Sequence, residues 1–506
     1  MAAALILLLT SPVLLGSQFF IALIGNNSNP GTADQPFASL SRAASLMSTT
    51  IKPGDTIWVK GGTYPETSTI SISKSGTPSL MYNIWAWPGE RALLDYSAQA
   101  FGSTAVKLSG SYCYIKGIDI KGSGDNGMNV SGSYNIIENC TFFENRDSGL
   151  QLSGGASNNK VINCDSYYNA DPPDYGDADG FAVKMDVGTG NYFYGCRSWL
   201  NVDDGWDGYL RGADNVSTSV NNCWAFKNGY FKNGADGGAN ANGNGFKMGG
   251  SDLKDLKHDF KVTNCLAFMN KAKGFDQNNN KGSMVLYNCT GYANAGYNFS
   301  IPSALASGKT AVIKNSIELG GRISLGSFVQ QSSVSWQMTP AASASDFVSI
   351  DTSLLAQATA PRKSDGSLPD ISFMHLIPGS RYIDIGESVG LLFNGSAPDL
   401  GCFETGKTLG VEVSKENEIK SYRILSNYPN PFNPATRILI NLRKDGPVTL
   451  KIYDINGQEI NSLLNEYKIA GSYSVTWNAP RLASGVYFCR LFSDGQISSI
   501  KMILAK

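Results

Sequence analysis

The sequence is poor in histidine and in net charge, and each shortage excludes a class of function. Only 2 histidines, His258 and His375, occur in 506 residues, which argues against histidine-rich metal sites and most histidine-dependent catalysis. The formal net charge is -1, so the basic excess typical of nucleic-acid-binding proteins is missing and no nucleic-acid partner is predicted. Glycine (55 residues) and aromatic side chains (11%) are abundant instead, which favours many turns and many strands.

Long apolar runs are confined to the N-terminus, MAAALILLLTSPVLLGSQ, and no charged residue occurs before Asp34. The run ends in small residues at Gly16-Ser17, so residues 1–17 are predicted to be a secretory signal peptide. A membrane anchor is the alternative, but Ser11-Pro12 interrupts the run before about twenty apolar residues accumulate. The sequence therefore predicts an exported protein.

The middle of the chain repeats a pattern whose shortest spacing is the 24 residues from Cys140 to Cys164. The repeated cysteines are Cys140, Cys164, Cys196, Cys223, Cys265 and Cys289. Five residues after each stands an asparagine: Asn145, Asn169, Asn201, Asn228, Asn270 and Asn294. Three residues before each stands an apolar side chain: Ile137, Val161, Phe193, Val220, Val262 and Leu286. A glycine and an apolar residue are then predicted to open the next strand: Gly149-Leu150, Gly180-Phe181, Gly205-Trp206, Gly245-Phe246, Gly274-Phe275 and Gly296-Tyr297.

Short strands, glycine turns and an asparagine at a fixed turn position are typical of a parallel β-helix. Successive coils stack about 4.8 Å apart, so equivalent positions form ladders along the axis. Stacked asparagine side chains pair with one another and with the turn backbone, because buried polar groups need partners. A leucine-rich repeat has a similar period but requires a dense leucine pattern that this sequence lacks.

The cysteine ladder has a structural explanation. Spacings of 24 residues or more do not match a zinc site, and stacked side chains that point the same way have poor disulfide geometry. Exported cysteines often pair, but 9 cysteines leave at least one unpaired in a monomer. The ladder is predicted to consist of buried thiols that act as small apolar core residues.

The acidic stretch NVDDGWDGYL interrupts this apolar pattern. Counted from the glycine of each coil, Asp179 and Asp204 occupy the same ladder position on neighbouring coils, about 5 Å apart. Asp203 lies two residues before Gly205 and Asp207 two after it, so four carboxylates are predicted to converge. Like charges so close are costly unless a cation binds them, and hard oxygen ligands without histidine suit Ca²⁺.

Lys247 lies two residues after Gly245, at the ladder position of Asp207 one coil earlier. Two long insertions, between Asn169 and Gly180 and between Asn228 and Gly245, fall beside the same rungs. Long loops around one patch of a rigid scaffold commonly wall a binding site. The alternative is a structural Ca²⁺ site with Lys247 as an ordinary surface cation.

A Ca²⁺ ion beside a lysine suits β-elimination from a uronic acid polymer. Metal binding of the C6 carboxylate disperses charge that develops at C5, and a base must remove the weakly acidic C5 proton. A nearby cation depresses the pKa of a lysine toward a useful range. Hydrolysis would need an acid–base pair of carboxyls, which Asp203 and Asp204 could imitate.

The stretches DADGFAVKMDVGTGNYFYGCRSWLNVDDGWDGY and NGNGFKMGG resemble polysaccharide lyase family nine, the pectate and exopolygalacturonate lyases. The resemblance implies a right-handed parallel β-helix with Asp179, Asp203, Asp204 and Asp207 as calcium ligands and Lys247 as the base. It covers roughly residues 20–405. The β-helical polygalacturonases, in contrast, carry a Gly-His-Gly motif that neither histidine of this chain provides.

The C-terminal part differs in composition. GKTLGVEVSKENEIKS is polar and is predicted to be a linker, and the segments YPNPFNPATRILINL, VTLKIYDINGQEI and SGVYFCRLFSDGQ alternate as short strands do. These segments resemble the immunoglobulin-like sorting domain of the type IX secretion system of Gram-negative bacteria. The resemblance implies passage through the outer membrane and then release or surface attachment. A carbohydrate-binding module is the alternative.

The sequence thus predicts an all-β chain: a signal peptide (1–17), a parallel β-helix lyase domain (18–405), a linker (406–421) and a C-terminal β-sandwich (422–506). Its predicted function is a secreted or cell-surface, calcium-dependent pectate lyase, acting as a monomer on polygalacturonate. A lyase for rhamnogalacturonan or alginate and a non-catalytic adhesin with structural calcium are the alternatives. The candidates for binding substrate carboxylates, each otherwise a solvated charge, are Lys184, Arg211, Lys271 and Lys273.

Overall fold

The computed structural model describes residues 16–406, 423–428, 430–442, 446–455, 457–468, 471–480, 482–493 and 496–505. Residues 1–15 of the predicted signal peptide and residues 407–421 of the predicted linker lie outside the described residues. The chain divides into two compact units, Met1–Leu409 and Gly410–Lys506. Within the described residues, no helix is both long and apolar enough to cross a membrane.

The first unit is a parallel β-helix with three faces. The first face contains Gln18–Ile21, Thr56–Val59, Tyr82–Ala86, Cys113–Lys116, Ile136–Glu138, Lys160–Ile162, Asn191–Tyr194, Val216–Asn221, His258–Thr263, Met284–Tyr287, Ala311–Leu319 and Gln330–Val334. The second face contains Gly62–Pro65, Ala92–Asp95, Ile118–Lys121, Thr141–Phe143, Asp165–Tyr167, Arg197–Trp199, Trp224–Phe226, Leu266–Phe268 and Thr290–Tyr292. The third face contains Ile70–Ile72, Val106–Leu108, Met128–Val130, Leu150–Leu152, Phe181–Val183, Trp206–Asp207, Phe246–Lys247, Phe275–Asp276, Phe299–Ile301 and Ile323–Leu325.

The faces repeat because each coil contributes one short strand to each of them. The long strand Ala311–Leu319 joins the first and second faces into a 21-stranded sheet, and the third face is a 10-stranded sheet. The apolar position before each cysteine is in register from coil to coil, as Val161 pairs with Phe193 and Phe193 with Val220. These side chains are buried in one continuous core, so the all-β, parallel β-helix prediction is confirmed.

The predicted asparagine ladder is present and fully buried. Asn201 Nδ2 donates to Asn228 Oδ1 over 3.0 Å, and Asn228 Nδ2 donates to Asn270 Oδ1 over 3.0 Å. Each Oδ1 also accepts the backbone N–H of the asparagine one coil earlier, for example Asn228 N to Asn270 Oδ1 over 3.1 Å. The ladder therefore satisfies the turn backbone where no strand pairing reaches it.

Replacing Asn270 with alanine should lower the free energy of unfolding by about 2–4 kcal/mol, because two buried donors of Asn228 lose their acceptor. Chemical denaturation of the wild type and the variant measures the loss. Asn233→Ala is the matched control, since Asn233 is exposed and its removal should cost less than about 0.5 kcal/mol. Equal stability of Asn270→Ala and the wild type would show that water or a rearranged turn replaces the ladder.

The cysteines are free and buried, as predicted. Burial raises the pKa of the Cys140, Cys164, Cys196 and Cys223 thiols well above the ordinary value, which keeps them protonated and unreactive. They therefore pack as small apolar side chains inside the helix.

One predicted strand start is wrong. The strand after Asn294 begins at Phe299, which pairs with Phe275, so Asn298 and not Gly296 holds the glycine position of that coil. The Phe275 and Phe299 rings stack 4.9 Å apart, and Asn298 Oδ1 accepts Asn294 Nδ2 over 2.7 Å. The start of this strand is therefore set by ring stacking and by the asparagine ladder and not by the glycine in the sequence.

The chain after the last coil covers the second face. Phe268 on that face meets Phe373 of the returning chain at 4.9 Å, and Arg362 donates to Asp165. The helices of this unit are short: α-helices at Leu40–Ser45 and Leu355–Ala358, and 3-10 helices at Ser335–Gln337, Ala344–Asp346 and Thr352–Leu354. The returning chain therefore packs on the second face, whereas the acidic stretch lies on the third face.

The second unit is antiparallel and all-β. Its 3-stranded sheet contains Arg423–Tyr428, Ala435–Leu442 and Gly471–Asn478. Its 4-stranded sheet contains Glu459–Lys468, Gly446–Tyr453, Gly485–Ser493 and Gln496–Leu504. A separate core that includes Trp477, Ile438 and Leu450 lies within this unit, in agreement with the predicted small β-sandwich.

Candidate active site and metal centre

The third face places the acidic stretch and the lysine on adjoining rungs. Phe181 pairs with Trp206, which brings Asp179 and Asp204 to equivalent positions before their strands. Asp207 pairs directly with Lys247 on the next coil, as the ladder count predicts. The register that packs the Phe181, Trp206 and Phe246 rings inside the core thus fixes the charged groups outside it.

Three of the four predicted carboxylates form a tight cluster. One carboxylate oxygen from each of Asp179, Asp204 and Asp207 lies within 4.8 Å of the others. All three residues are buried, with at most 4% of their surface exposed. Three buried acids this close need compensating positive charge.

Two lysines supply positive charge in this structure. Lys247 Nζ lies 3.0 Å from Asp204 Oδ2 and 3.3 Å from Asp207 Oδ1. Lys184 Nζ lies 2.7 Å from Asp179 Oδ2 and 3.7 Å from Asp207 Oδ2. Asp207 is therefore shared by both lysines and stands at the centre of the cluster.

Neutral groups at the same ladder position orient the carboxylates. Ser148 Oγ donates to Asp179 Oδ2 over 3.2 Å. The backbone N–H and side-chain amide of Asn244 donate to Asp204 Oδ1 over 2.7 and 2.9 Å. Sequence reasoning missed both residues, although each precedes a glycine, Gly149 and Gly245, as the aspartates do.

Burial is the largest influence on the protonation of Asp179, Asp203 and Asp204, even though a lysine lies close to Asp179 and to Asp204. It raises the pKa of Asp179 and Asp203 well above the usual range, and neighbouring carboxylates add to the effect. It also raises the pKa of Asp204, against the opposing charge of Lys247. The site therefore disfavours three free negative charges unless a cation is close.

Asp207 behaves in the opposite way. Burial acts to raise its pKa, but Lys247 and Lys184 hold that pKa below its usual range. Burial also acts to lower the pKa of Lys247, yet Asp204 and Asp207 hold it well above its ordinary value. Without another cation, Lys247 is thus the protonated partner of these carboxylates.

The fourth predicted carboxylate, Asp203, is not among the three whose oxygens lie within 4.8 Å of one another. Asp203 Oδ1 accepts the backbone N–H of Asn242 over 2.5 Å, in the insertion that precedes Gly245. Its backbone N–H donates to Ala178 O over 3.1 Å, in the other insertion. Asp203 therefore ties both insertions to the edge of the cluster.

The weak carboxylate-binding candidates differ widely. Lys184 is not a solvated charge: only 5% of its side chain is exposed, since the acids attract it inward. Arg211 is 57% exposed and lies 3.4 Å from Asp252. Lys271 pairs with Asp236 and Lys273 with Asp276, outside the three-acid cluster.

The three-acid cluster fits a hard divalent cation. Its ligand atoms are all carboxylate oxygens, which Ca²⁺ prefers. Asp204 Oδ2 is a buried oxygen without a hydrogen-bond donor of suitable geometry among the described residues, although Lys247 Nζ is close. A cation would satisfy that oxygen and replace the charge that the lysines now supply.

A cavity of about 560 Å³ opens beside the site. It is lined by Tyr168, Asn169, Ala170, Val202, Phe231, Lys232 and Asn233. Val202 directly precedes the acidic pair Asp203-Asp204, so the cavity adjoins the cluster without including it. One insertion and the turn of the preceding coil form its walls.

Comparison with known proteins agrees with this architecture. The family described as "Pel9A-like, right handed beta helix region" matches residues 19–314, and a secretion system C-terminal sorting domain matches residues 426–505. Pectate lyase L of Dickeya dadantii (strain 3937) is 39% identical over 412 residues, which cover 78% of this chain and 92% of the relative.

Two solved structures extend the comparison. The crystal structure of pectate lyase Pel9A has a TM-score of 0.70 and 38% identity, over 77% of this chain and 96% of that one. A rhamnogalacturonan lyase has a TM-score of 0.62 and 25% identity, over 72% of this chain and 97% of that one. The chain belongs to the Pel9A-like right-handed β-helix family, the pectate lyases of polysaccharide lyase family nine, and ends in a secretion sorting domain.

Proposed function

We propose that the chain is a calcium-dependent pectate lyase that cleaves polygalacturonate by β-elimination, with Lys247 as the base. The observation that carries the proposal is the position of the Lys247 amine, 3.0 Å from Asp204 and 3.3 Å from Asp207 of the three-acid cluster. A lysine in contact with candidate metal ligands can reach a substrate carbon whose carboxylate is bound at the same centre.

Asp179, Asp204 and Asp207 would hold the calcium, and Asp203 would hold the two insertions in place beside it. Bound Ca²⁺ supplies charge that binds the C6 carboxylate of a uronate and stabilises negative charge developing at C5. Ser148 and Asn244 orient Asp179 and Asp204 by hydrogen bonds, so ligand geometry is set before substrate arrives.

Lys247 suits the role of base better than Lys184. The Lys247 side chain keeps 11% of its surface exposed and lies 5.5 Å from the ring of half-buried Tyr209, toward solvent. Lys184 is enclosed against Asp179 and Asp207. With a metal held by Asp204 and Asp207, these carboxylates would hold the Lys247 ammonium less strongly, and neutral Nζ would accept the C5 proton.

The substrate assignment is supported by pectate lyase relatives, and a rhamnogalacturonan lyase is the second candidate because a solved structure of that name shares the fold at 25% identity. Both reactions are eliminations from a uronate. The site chemistry is therefore common to them, and the difference lies in the sugars on either side of the reacting unit.

Incubation with polygalacturonate and Ca²⁺ should raise ultraviolet absorbance, because elimination leaves a C4–C5 double bond conjugated to the carboxylate. Parallel incubations with rhamnogalacturonan and alginate should give little absorbance. New reducing ends without absorbance would contradict elimination and point to hydrolysis. Absorbance on rhamnogalacturonan alone would transfer the assignment to the second candidate.

The sorting domain supports export through the type IX secretion machinery. We place the enzyme outside the cell, secreted or attached to the surface, where plant cell-wall polysaccharide is accessible. A monomer suffices for this proposal, since one chain contains the three acids and the lysine.

A further inference from the structure

A half-buried aromatic side chain stands beside the proposed base. Tyr209 follows the strand Trp206–Asp207, is half-buried, and has its ring centre 5.5 Å from Lys247 Nζ. Its backbone is fixed at both ends: its N–H donates to Asp207 Oδ1 over 3.0 Å, and its carbonyl accepts the N–H of Met185 over 2.6 Å. The ring therefore has a defined place at the mouth of the site.

Two charged side chains hold that ring from the solvent side. The Tyr209 hydroxyl donates to Asp252 Oδ1 over 2.7 Å. Arg211 Nε lies 3.4 Å from Asp252 Oδ2, and the guanidinium carbon lies 5.7 Å from the Tyr209 ring centre. The Asp252 loop is itself fixed, because Ser251 Oγ accepts the N–H groups of Asp255 and Leu256.

These contacts contribute little to folding. Arg211 and Asp252 are 57% and 62% exposed, and exposed ion pairs add little to the stability of a protein. What they fix is the direction of an aromatic face and of a guanidinium. No hydrogen-bond acceptor for the two Nη groups of Arg211 occurs among the residues that the structure describes.

A uronosyl unit matches both groups. The apolar C–H face of a sugar ring packs on an aromatic ring, and a guanidinium binds a carboxylate through two parallel hydrogen bonds. We infer that Tyr209, Arg211 and Asp252 form a subsite that binds an anionic sugar unit next to the one attacked by Lys247. Tyr209 contacts the ring, Arg211 binds the carboxylate, and Asp252 positions both. This inference rests on the proposed uronate substrate.

Binding measurements on a variant without the proposed base test this subsite independently of catalysis. Trigalacturonate should be titrated calorimetrically, with Ca²⁺ present, into Lys247→Ala and into the same variant carrying Tyr209→Ala or Arg211→Gln. Each second substitution should raise Kd about tenfold or more, because a sugar contact or a charged hydrogen bond is lost. Adding Asp252→Asn should raise Kd less, since the two contact groups remain. Adding Lys261→Ala, an exposed lysine on the first face, should leave Kd unchanged.

A trimer that carries a methyl ester only on the unit next to the calcium-bound one identifies the carboxylate contact. Arg211→Gln should weaken binding of the acid and leave binding of the ester unchanged, whereas Tyr209→Ala should weaken both. Unchanged Kd values for Tyr209→Ala and Arg211→Gln, or equal losses for acid and ester in Arg211→Gln, would overturn the subsite. Tight trigalacturonate binding without ultraviolet-absorbing product from the wild type would contradict the proposed elimination and leave the subsite standing.

Discussion

Lys247→Ala should lose almost all turnover on polygalacturonate while it still binds Ca²⁺ and oligogalacturonate. Loss of a general base typically costs about 10²–10⁴-fold in rate, and proton removal is needed only in the transition state. Initial rates of ultraviolet absorbance give the loss in kcat, and calorimetric titration gives the two affinities. Removing the amine also frees Asp204 and Asp207 of their ion pairs, so Ca²⁺ affinity should not fall.

The Lys247→Arg variant distinguishes a residue that removes the substrate proton from one that only supplies positive charge. Arginine keeps the positive charge beside Asp204 and Asp207 but does not readily release a proton, so turnover should remain low. Lys261→Ala should retain wild-type rates, because that lysine is exposed on the first face. Near-normal turnover of Lys247→Arg would show that the residue holds a substrate carboxylate, and Lys184 would become the next candidate for the base.

The ladder positions were predictable from the sequence because each repeat contains recognisable residues from which equivalent positions can be counted. A glycine and an apolar residue open each third-face strand from Leu150 to Phe275, so counting from Gly205 and Gly245 places Asp207 opposite Lys247. The same count fails where the chain uses Asn298 in place of glycine. Backbone pattern specifies register well as long as each coil keeps its markers.

The directions of the side chains were not predictable from the repeat positions. Asp203 and Asp204 are neighbours in sequence, yet Asp204 joins the cluster and Asp203 turns to Asn242 of an insertion. Lys184 is predicted to be a candidate for binding a substrate carboxylate, or otherwise a solvated charge. Its long side chain instead reaches back over the strand Phe181–Val183 to Asp179, with Nζ 2.7 Å from Oδ2. Counting repeat positions predicts where a backbone position lies, but it does not predict the contacts of irregular loops or of long, flexible side chains.

Asp204→Asn should weaken Ca²⁺ binding by roughly 10–100-fold, at least the loss expected for a group that supports a metal site. The amide keeps the size of the side chain but removes the negative charge, and Oδ2 is the buried oxygen that lacks a suitable donor in the described residues. At a Ca²⁺ concentration about 100 times the wild-type Kd, binding stabilises the wild type by about 2.7 kcal/mol. Thermal denaturation with and without Ca²⁺ should show that stabilisation reduced to about 0.4–1.4 kcal/mol in the variant, and activity at low calcium should be lost.

Asp276→Asn is the matched control for this result. Asp276 is buried on the same ladder row, one rung beyond Lys247, but it pairs with Lys273 and lies outside the three-acid cluster. Its substitution should leave the calcium-dependent shift in melting temperature within experimental error. If Asp204→Asn bound Ca²⁺ with the wild-type affinity, Asp204 would not be a calcium ligand. We expect Asp204→Asn to stay folded at room temperature, because the asparagine ladder and the apolar core should hold the coils together without the metal. Unfolding of the variant would contradict this and favour a structural role for the metal.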